Sequence, residues 1–174
     1  DRVVPSSTRA LQRTLDRRMG VRTGRRHGRK PVLIALLAAL LITQISWERI
    51  GEEITRILTE GGARRGFELL DETGILKVVL PEIEQMKGVE QGLEHHPEGD
   101  VFKHTLLTLS HLEAPSESLA YGCLLHDIAK PVCFRKEDDR ITFYGHTDHG
   151  AEMAEAVLKR LKRGRATWER VSYL

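Results

Sequence analysis

An adjacent His-Asp pair closes the apolar run in Leu124-Leu125-His126-Asp127-Ile128-Ala129-Lys130-Pro131. Two strongly polar side chains at the end of an otherwise apolar helix limit the possible folds, because buried polar groups need partners. Further histidines lie about twenty residues to either side. His104 falls in Gly99-Asp100-Val101-Phe102-Lys103-His104-Thr105, and His146 in Tyr144-Gly145-His146. That spacing suits neighbouring antiparallel helices converging on one point. Neutral imidazole nitrogen and anionic carboxylate oxygen suit one divalent Mn, Fe, Ni, Zn or Mg ion, unlike the thiolates of a structural zinc site. Water on such an ion becomes a nucleophile near neutral pH, and the ion offsets charge on a phosphoryl oxygen. The pattern therefore points to metal-dependent phosphoester hydrolysis. A lone His-Asp pair is more often a satisfied core pair; the constellation of His104, His126, Asp127, His146 and Lys130 carries the reading.

The order H…HD…xxK…GH resembles the HD-domain phosphohydrolase superfamily, and the flanks resemble something narrower. Ser46-Trp47-Glu48-Arg49-Ile50-Gly51-Glu52-Glu53, Leu80-Pro81-Glu82-Ile83 and His96-Pro97-Glu98-Gly99 stand in that order before the HD block. Together they look like the C-terminal part of bacterial poly(A) polymerase/tRNA nucleotidyltransferases, the CCA-adding enzymes, whose neck reads S-x-E-R-I-x-x-E ahead of an HD domain. The likeness runs from about Leu36 to Val171. It implies an all-α fold: an HD helical bundle over 93–174, a helical neck-like segment over 31–92, and a basic flexible arm over 1–30. It also implies RNA processing at the tRNA 3′ end, with RNA, tRNA in particular, as partner. The family's nucleotide transfer resides in a head carrying a GGxxRD loop and a DxD carboxylate pair, and this sequence contains neither. Gly61-Gly62-Ala63-Arg64-Arg65-Gly66 echoes the loop, but it follows the neck motif and lacks the closing Asp. It reads as a helix-ending glycine turn. The expectation is a family member without its head. It is also expected to be truncated at its C-terminus, since HD proteins usually complete the metal set with a late Asp and none is evident before Leu174.

The resemblance and the spacing together suggest roles. His126 and Asp127 bind the ion, with Asp127 placed to orient or deprotonate the attacking water. His104 is the third ligand, and His146 a fourth ligand or a contact to substrate phosphate. Lys130 lies one turn beyond His126 and is expected to neutralise a phosphate oxygen. His96 either lines the same pocket as a substrate contact or staples its loop beside Pro97. Ser46, Glu48, Arg49 and Glu53 of the neck motif are structural. His95, His111 and His149 are exposed or incidental, and the resemblance does not support Asp148 as a ligand.

Net charge is +2, but residues 1–30 hold ten Arg/Lys against Asp1 and Asp16, leaving the remainder acidic. Such an arm is expected to be disordered by itself, and either to contact RNA phosphates or to be an unselected terminus. The apolar run from Pro31 to Ile42 is about twelve residues long, whereas a spanning helix needs about twenty. It reads as a buried helix leading into the neck, a membrane or export role over residues 31–47 being the alternative. Cys123 and Cys133 form neither a disulfide framework nor a zinc ribbon, so a reduced cytoplasm is the simplest compartment, with Cys123 a core residue.

Helices are predicted throughout. Ser116 caps the HD helix, which Pro131 terminates. Arg135 to Arg140 is a solvated loop, and Ile141-Thr142-Phe143-Tyr144 is short and extended. A last helix starts near Thr147, with Ala151, Ala154, Val157, Leu158 and Leu161 on one face. The basic cluster Lys159 to Arg165 fits a solvated helix end, where cations are favoured, better than a nucleic-acid site. Three functions stay open: a headless tRNA nucleotidyltransferase-like RNA-processing chain, a stand-alone HD phosphohydrolase acting on nucleotides or cyclic phosphodiesters, and a non-catalytic RNA-binding module.

The missing carboxylate pair yields a first prediction. Incubated with CTP, ATP and a tRNA lacking its 3′ end, this chain alone gives no extension on a denaturing gel. Extension that is abolished by mutating a residue of this chain would contradict the reading.

Overall fold

The computed structural model describes residues 44–92, 96–138 and 140–173, so the basic arm and the apolar run at 31–42 lie outside the described residues. The first described helix, α1 (Trp47–Thr59), begins because the Ser46 hydroxyl accepts the Arg49 N–H at 3.4 Å. Ile50, Ile54 and Leu58 recur at helical spacing and are buried, while Arg49, Glu53 and Arg56 face water, Arg56 pairing with Glu53 at 3.2 Å. Gly61 and Gly62, at φ of +94° and +77°, make the turn into α2 (Ala63–Glu72), the chain reversal expected there. Two short helices follow, α3 (Ile75–Val79) and α4 (Pro81–Glu84), with Pro81 in the first turn, where its missing N–H costs nothing.

The HD half contains α5 (Val101–Ser110), α6 (Glu117–Leu125), α7 (Lys130–Cys133), a hairpin of β1 (Arg135–Glu137) and β2 (Arg140–Thr142), α8 (His146–Arg160) and α9 (Arg165–Val171). Helix α6 is central, packing against α1, α5 and α9. A helix surrounded in this way has no polar face, and Ala120, Tyr121 and Leu124 are fully buried. Each such large apolar side chain contributes roughly 1.5–3 kcal/mol by leaving water. The Tyr121 hydroxyl shares a 3.0 Å hydrogen bond with Thr55 of α1, so the central helix is also tied to the neck by a satisfied polar pair.

Three local expectations need correction. Helix α6 ends at Leu125, not at Pro131; Pro131 instead sits in the first turn of α7, where proline is tolerated. Arg135 to Arg140 is an antiparallel hairpin, not a loop, with Glu137 paired to Arg140 across the turn. Asp138 takes φ +50° there, a left-handed conformation that Asp tolerates in two-residue hairpin turns. The run of charges concealed strands whose side chains lie largely in water. The chain also makes a further helix, α9, after the one beginning at His146, with Trp168 and Val171 three residues apart facing inward.

The basic cluster at the end of α8 is mostly spent within the fold. Arg160 forks onto Glu82 at 2.6 and 2.8 Å, Lys159 pairs with Glu155, and Arg165 pairs with Glu169 at 2.6 Å. Arg163 donates to the Leu161 carbonyl at 3.1 Å and to Thr55 at 3.3 Å, reaching back to α1. Among the described residues no helix is long and apolar enough to cross a membrane.

Gly51, inside the neck motif, sits where α1 meets the end of α8. A Cβ added there would lie 2.1 Å from the Leu161 carbonyl oxygen, a backbone atom that cannot move aside locally. Gly51→Ala should therefore destabilise the fold by about 1–3 kcal/mol, the usual range for overpacking. Exposed Glu53→Ala should cost under about 1 kcal/mol, since a surface ion pair contributes little. Urea unfolding of both variants checks this, and equal midpoints would contradict it.

Candidate metal centre

The site is assembled where the C-terminal end of α6 faces α5. Asp100 starts α5 by accepting the Lys103 N–H at 2.9 Å, and its second oxygen accepts the Gly88 N–H at 2.7 Å. The strand-like stretch before the loop pairs back onto it, with Val101 N–H donating to Val89 O at 3.0 Å and Gln91 N–H to Gly99 O at 3.2 Å. This fold-back fixes the loop carrying His96 and Glu98 beside His104. Across from it, His126 caps α6 and Asp127 follows immediately.

His104, His126 and Asp127 each present a ligand atom within 4.8 Å of the others, and His96, Glu98 and His104 form a second such group. The ring centroids of His104 and His126 are 5.3 Å apart, and those of His96 and His104 are 4.7 Å apart. His126 Nδ1 lies 2.9 Å from the Cys123 carbonyl and His146 Nδ1 lies 2.8 Å from the Phe143 carbonyl. A carbonyl only accepts, so both Nδ1 atoms carry the proton. Glu98 Oε1, 2.5 Å from His104 Nδ1, imposes the same tautomer on His104 as a carboxylate acceptor. In their neutral forms all three imidazoles therefore carry the proton on Nδ1 and leave Nε2 free, the form in which histidine binds a metal.

Asp127 is nearly buried, its side chain 5% exposed. Lys130 Nζ stands 2.8 Å from its Oδ2 and His126 Nε2 stands 3.2 Å away, yet neither approach has hydrogen-bond geometry, and Oδ2 has no hydrogen-bond partner. Lys130 donates its hydrogen bond to Gln91 Oε1 at 2.6 Å. Burial pushes the Asp127 carboxyl up, but His126 and Lys130 outweigh it and hold the group down to about 2. Burial likewise disfavours charged His126, but Asp127 outweighs it and raises the ring's pKa. A carboxylate whose neighbours favour its ionised form, with an unused lone pair and imidazole nitrogens facing it, fits a divalent cation by its donor chemistry.

The structure thus brings His104, His126 and Asp127 together and sets His96 beside them. His146 belongs to neither group; it lines a cavity of about 660 Å³ together with His96, Lys130 and Phe143. Lys130 is buried, its ammonium held between Asp127 and Gln91, so any phosphate contact it makes shares that charge with Asp127. In the neck motif Ser46 caps α1 and Glu53 pairs with Arg56, while Glu48 and Arg49 are exposed. His111 and His149 are exposed, and His95 lies outside the described residues. Sequence reasoning missed Glu98 and Gln91. Glu98 was visible as a carboxylate two residues after His96 and six before His104. Gln91 carried no signal, because only the fold-back brings it to Lys130.

Two family models match in succession: "Probable RNA and SrmB-binding site of polymerase A" over residues 33–87, and "HD domain" over residues 101–174. These define an HD-domain protein with a polymerase-type RNA-binding segment in front. The A-adding tRNA nucleotidyltransferase of Deinococcus radiodurans is 36% identical over 135 residues, 74% of this chain and 31% of that protein. The CC-adding tRNA nucleotidyltransferase of Thermus thermophilus is 39% identical over 134 residues, covering 73% of this chain and 30% of the relative. The multifunctional CCA protein of Halorhodospira halophila is 39% identical over 121 residues, 68% and 29% of the two chains. The chain spans about a third of the length of these relatives. It belongs to the poly(A) polymerase/tRNA nucleotidyltransferase family and corresponds to the neck and HD region.

Glu98 fixes the tautomer of His104, and carboxylates in that position beside a metal-binding histidine typically change metal affinity roughly 10–100-fold. Glu98→Gln should weaken Mn²⁺ binding by roughly that factor in calorimetry while leaving the unfolding midpoint near that of the parent. Unchanged affinity would show that His104 is oriented by other means.

Proposed function

We propose that this chain serves tRNA 3′-end processing as the neck and HD region of a tRNA nucleotidyltransferase-type protein, and that its own chemistry is metal-dependent phosphoester hydrolysis. The observation that carries the hydrolytic part is the convergence of His104, His126 and buried Asp127, with Nδ1 of both rings turned to an acceptor so that Nε2 is the nitrogen left to bind. The RNA partner rests on the similarity of the chain to the matched relatives and on the polymerase-type segment over 33–87.

His104, His126 and Asp127 would hold one divalent ion, with His146 a candidate fourth ligand; imidazole-rich donors favour Mn, Fe, Ni or Zn over Mg. When bound, such an ion supplies Lewis acidity toward a phosphoryl oxygen and makes water acidic. Asp127 would orient the attacking water or take its proton, and His126 and Lys130 favour its ionised form. Lys130 keeps that carboxylate in place, and Gln91 keeps Lys130 in place. His96, Lys130 and His146 line one cavity beside the cluster, where a phosphate would meet imidazole and ammonium donors. A stand-alone hydrolase acting on nucleotides or cyclic phosphodiesters would use the same residues.

With Mn²⁺ or Ni²⁺ added, the chain should cleave bis-p-nitrophenyl phosphate. His126→Ala and Asp127→Ala should each lower turnover at least ~100-fold, in the range set by removing a metal ligand or proton acceptor. Metal content measured on the same samples should fall with activity. Cleavage that survives Asp127→Ala would place the chemistry elsewhere.

A further inference from the structure

A second cavity of about 660 Å³ lies between the hairpin and helices α7 and α8, and none of His96, His104, His126, Asp127 or Lys130 lines it. Its volume falls within the roughly 300–1,000 Å³ usual for small-molecule sites. The hairpin register dictates what faces it. Arg135 pairs with Thr142 and Glu137 with Arg140, and residues paired across the ladder or two apart on a strand share a face. Arg135, Glu137, Arg140 and Thr142 therefore all look into the cavity, while Lys136 on the other face is spent on Glu90 at 2.6 Å.

Among the described residues neither arginine pairs with a carboxylate; Arg135 donates to the adjacent Phe134 carbonyl at 2.9 Å. Two planar guanidinium forks on one wall suit a phosphate. At the rim, Tyr144 is 76% exposed and Val132 is 54% exposed, large apolar surfaces left in water. An exposed aromatic face is what a nucleobase stacks on, regardless of its identity. Glu137 and Glu152 also line the cavity. They only accept hydrogen bonds and disfavour a second phosphate, but they suit the exocyclic amino group of adenine, cytosine or guanine. We infer that this cavity is a binding site for a nucleoside phosphate with an amino-bearing base, separate from the His/Asp cluster and outside the 33–87 segment. Arg135 and Arg140 take the phosphate, Tyr144 stacks on the base, and Glu137 or Glu152 accepts from its amino group.

That chemistry occurs both in a free nucleotide and in an unpaired nucleotide of an RNA strand. Calorimetry on the full chain with AMP, UMP and a single-stranded five-adenylate oligonucleotide separates the two. AMP binds, and Tyr144→Ala weakens it about 5- to 100-fold, the loss expected for one stacked base. Arg135→Ala, at an exposed position, weakens it about tenfold through loss of a charge-assisted contact. UMP binds at least about fivefold more weakly than AMP, because uracil offers no amino group for Glu137 or Glu152 to accept from. Asp127→Asn, which disables the other cluster, leaves AMP affinity unchanged. An oligonucleotide that binds more tightly than AMP and is weakened by Tyr144→Ala assigns the site to RNA; one that binds no better assigns it to the free nucleotide. Absence of binding below about 1 mM for both AMP and oligonucleotide, equal affinity for UMP and AMP, or binding lost in Asp127→Asn but kept in Arg135→Ala overturns the inference.

Discussion

The buried charge of Asp127 is what the surrounding structure is organised around. A carboxylate 5% exposed is costly unless opposite charge and hydrogen bonds surround it. Lys130 supplies the opposite charge at 2.8 Å, itself buried and held by Gln91 from a separate segment of chain. Removing one partner of such a pair typically costs about 3–5 kcal/mol, because the other charge is stranded. The fold-back of residues 88–91 onto the start of α5 is thus part of the site, although no ligand atom lies on it.

The histidines are prepared by a second device that needs little energy. Each Nδ1–H of His104, His126 and His146 already has an acceptor, a carboxylate in one case and backbone carbonyls in the others. These bonds fix tautomer and ring orientation before any ligand arrives, which preorganises the donor set. Helix α6 makes this possible. Its burial against α1, α5 and α9 leaves no freedom to reposition the residues that follow Leu125.

Much of this could be read from the residues. The ordered motifs indicated a helical HD bundle and placed His104, His126 and Asp127 together, because several histidines at helical-hairpin spacing around one His-Asp pair point to a shared site where the pair alone would not. Ser116 marked a helix start through its hydroxyl, and Gly61-Gly62 marked a turn through left-handed backbone. The hairpin was not legible, since Arg135-Lys136-Glu137 shows no apolar alternation. Nor was the inward tether of Lys130, which depends on a contact 39 residues distant in sequence. Gly51 was quoted only as part of a motif; its reason, the Leu161 carbonyl, appears only when α1 and α8 are packed.

The central claim, that the His/Asp cluster is a metal centre, is tested most directly by anomalous diffraction from crystals grown with Mn²⁺ or Ni²⁺. The account predicts one strong peak bounded by His104, His126 and Asp127. A peak only at surface carboxylates, with that cluster empty at saturating metal, would contradict it.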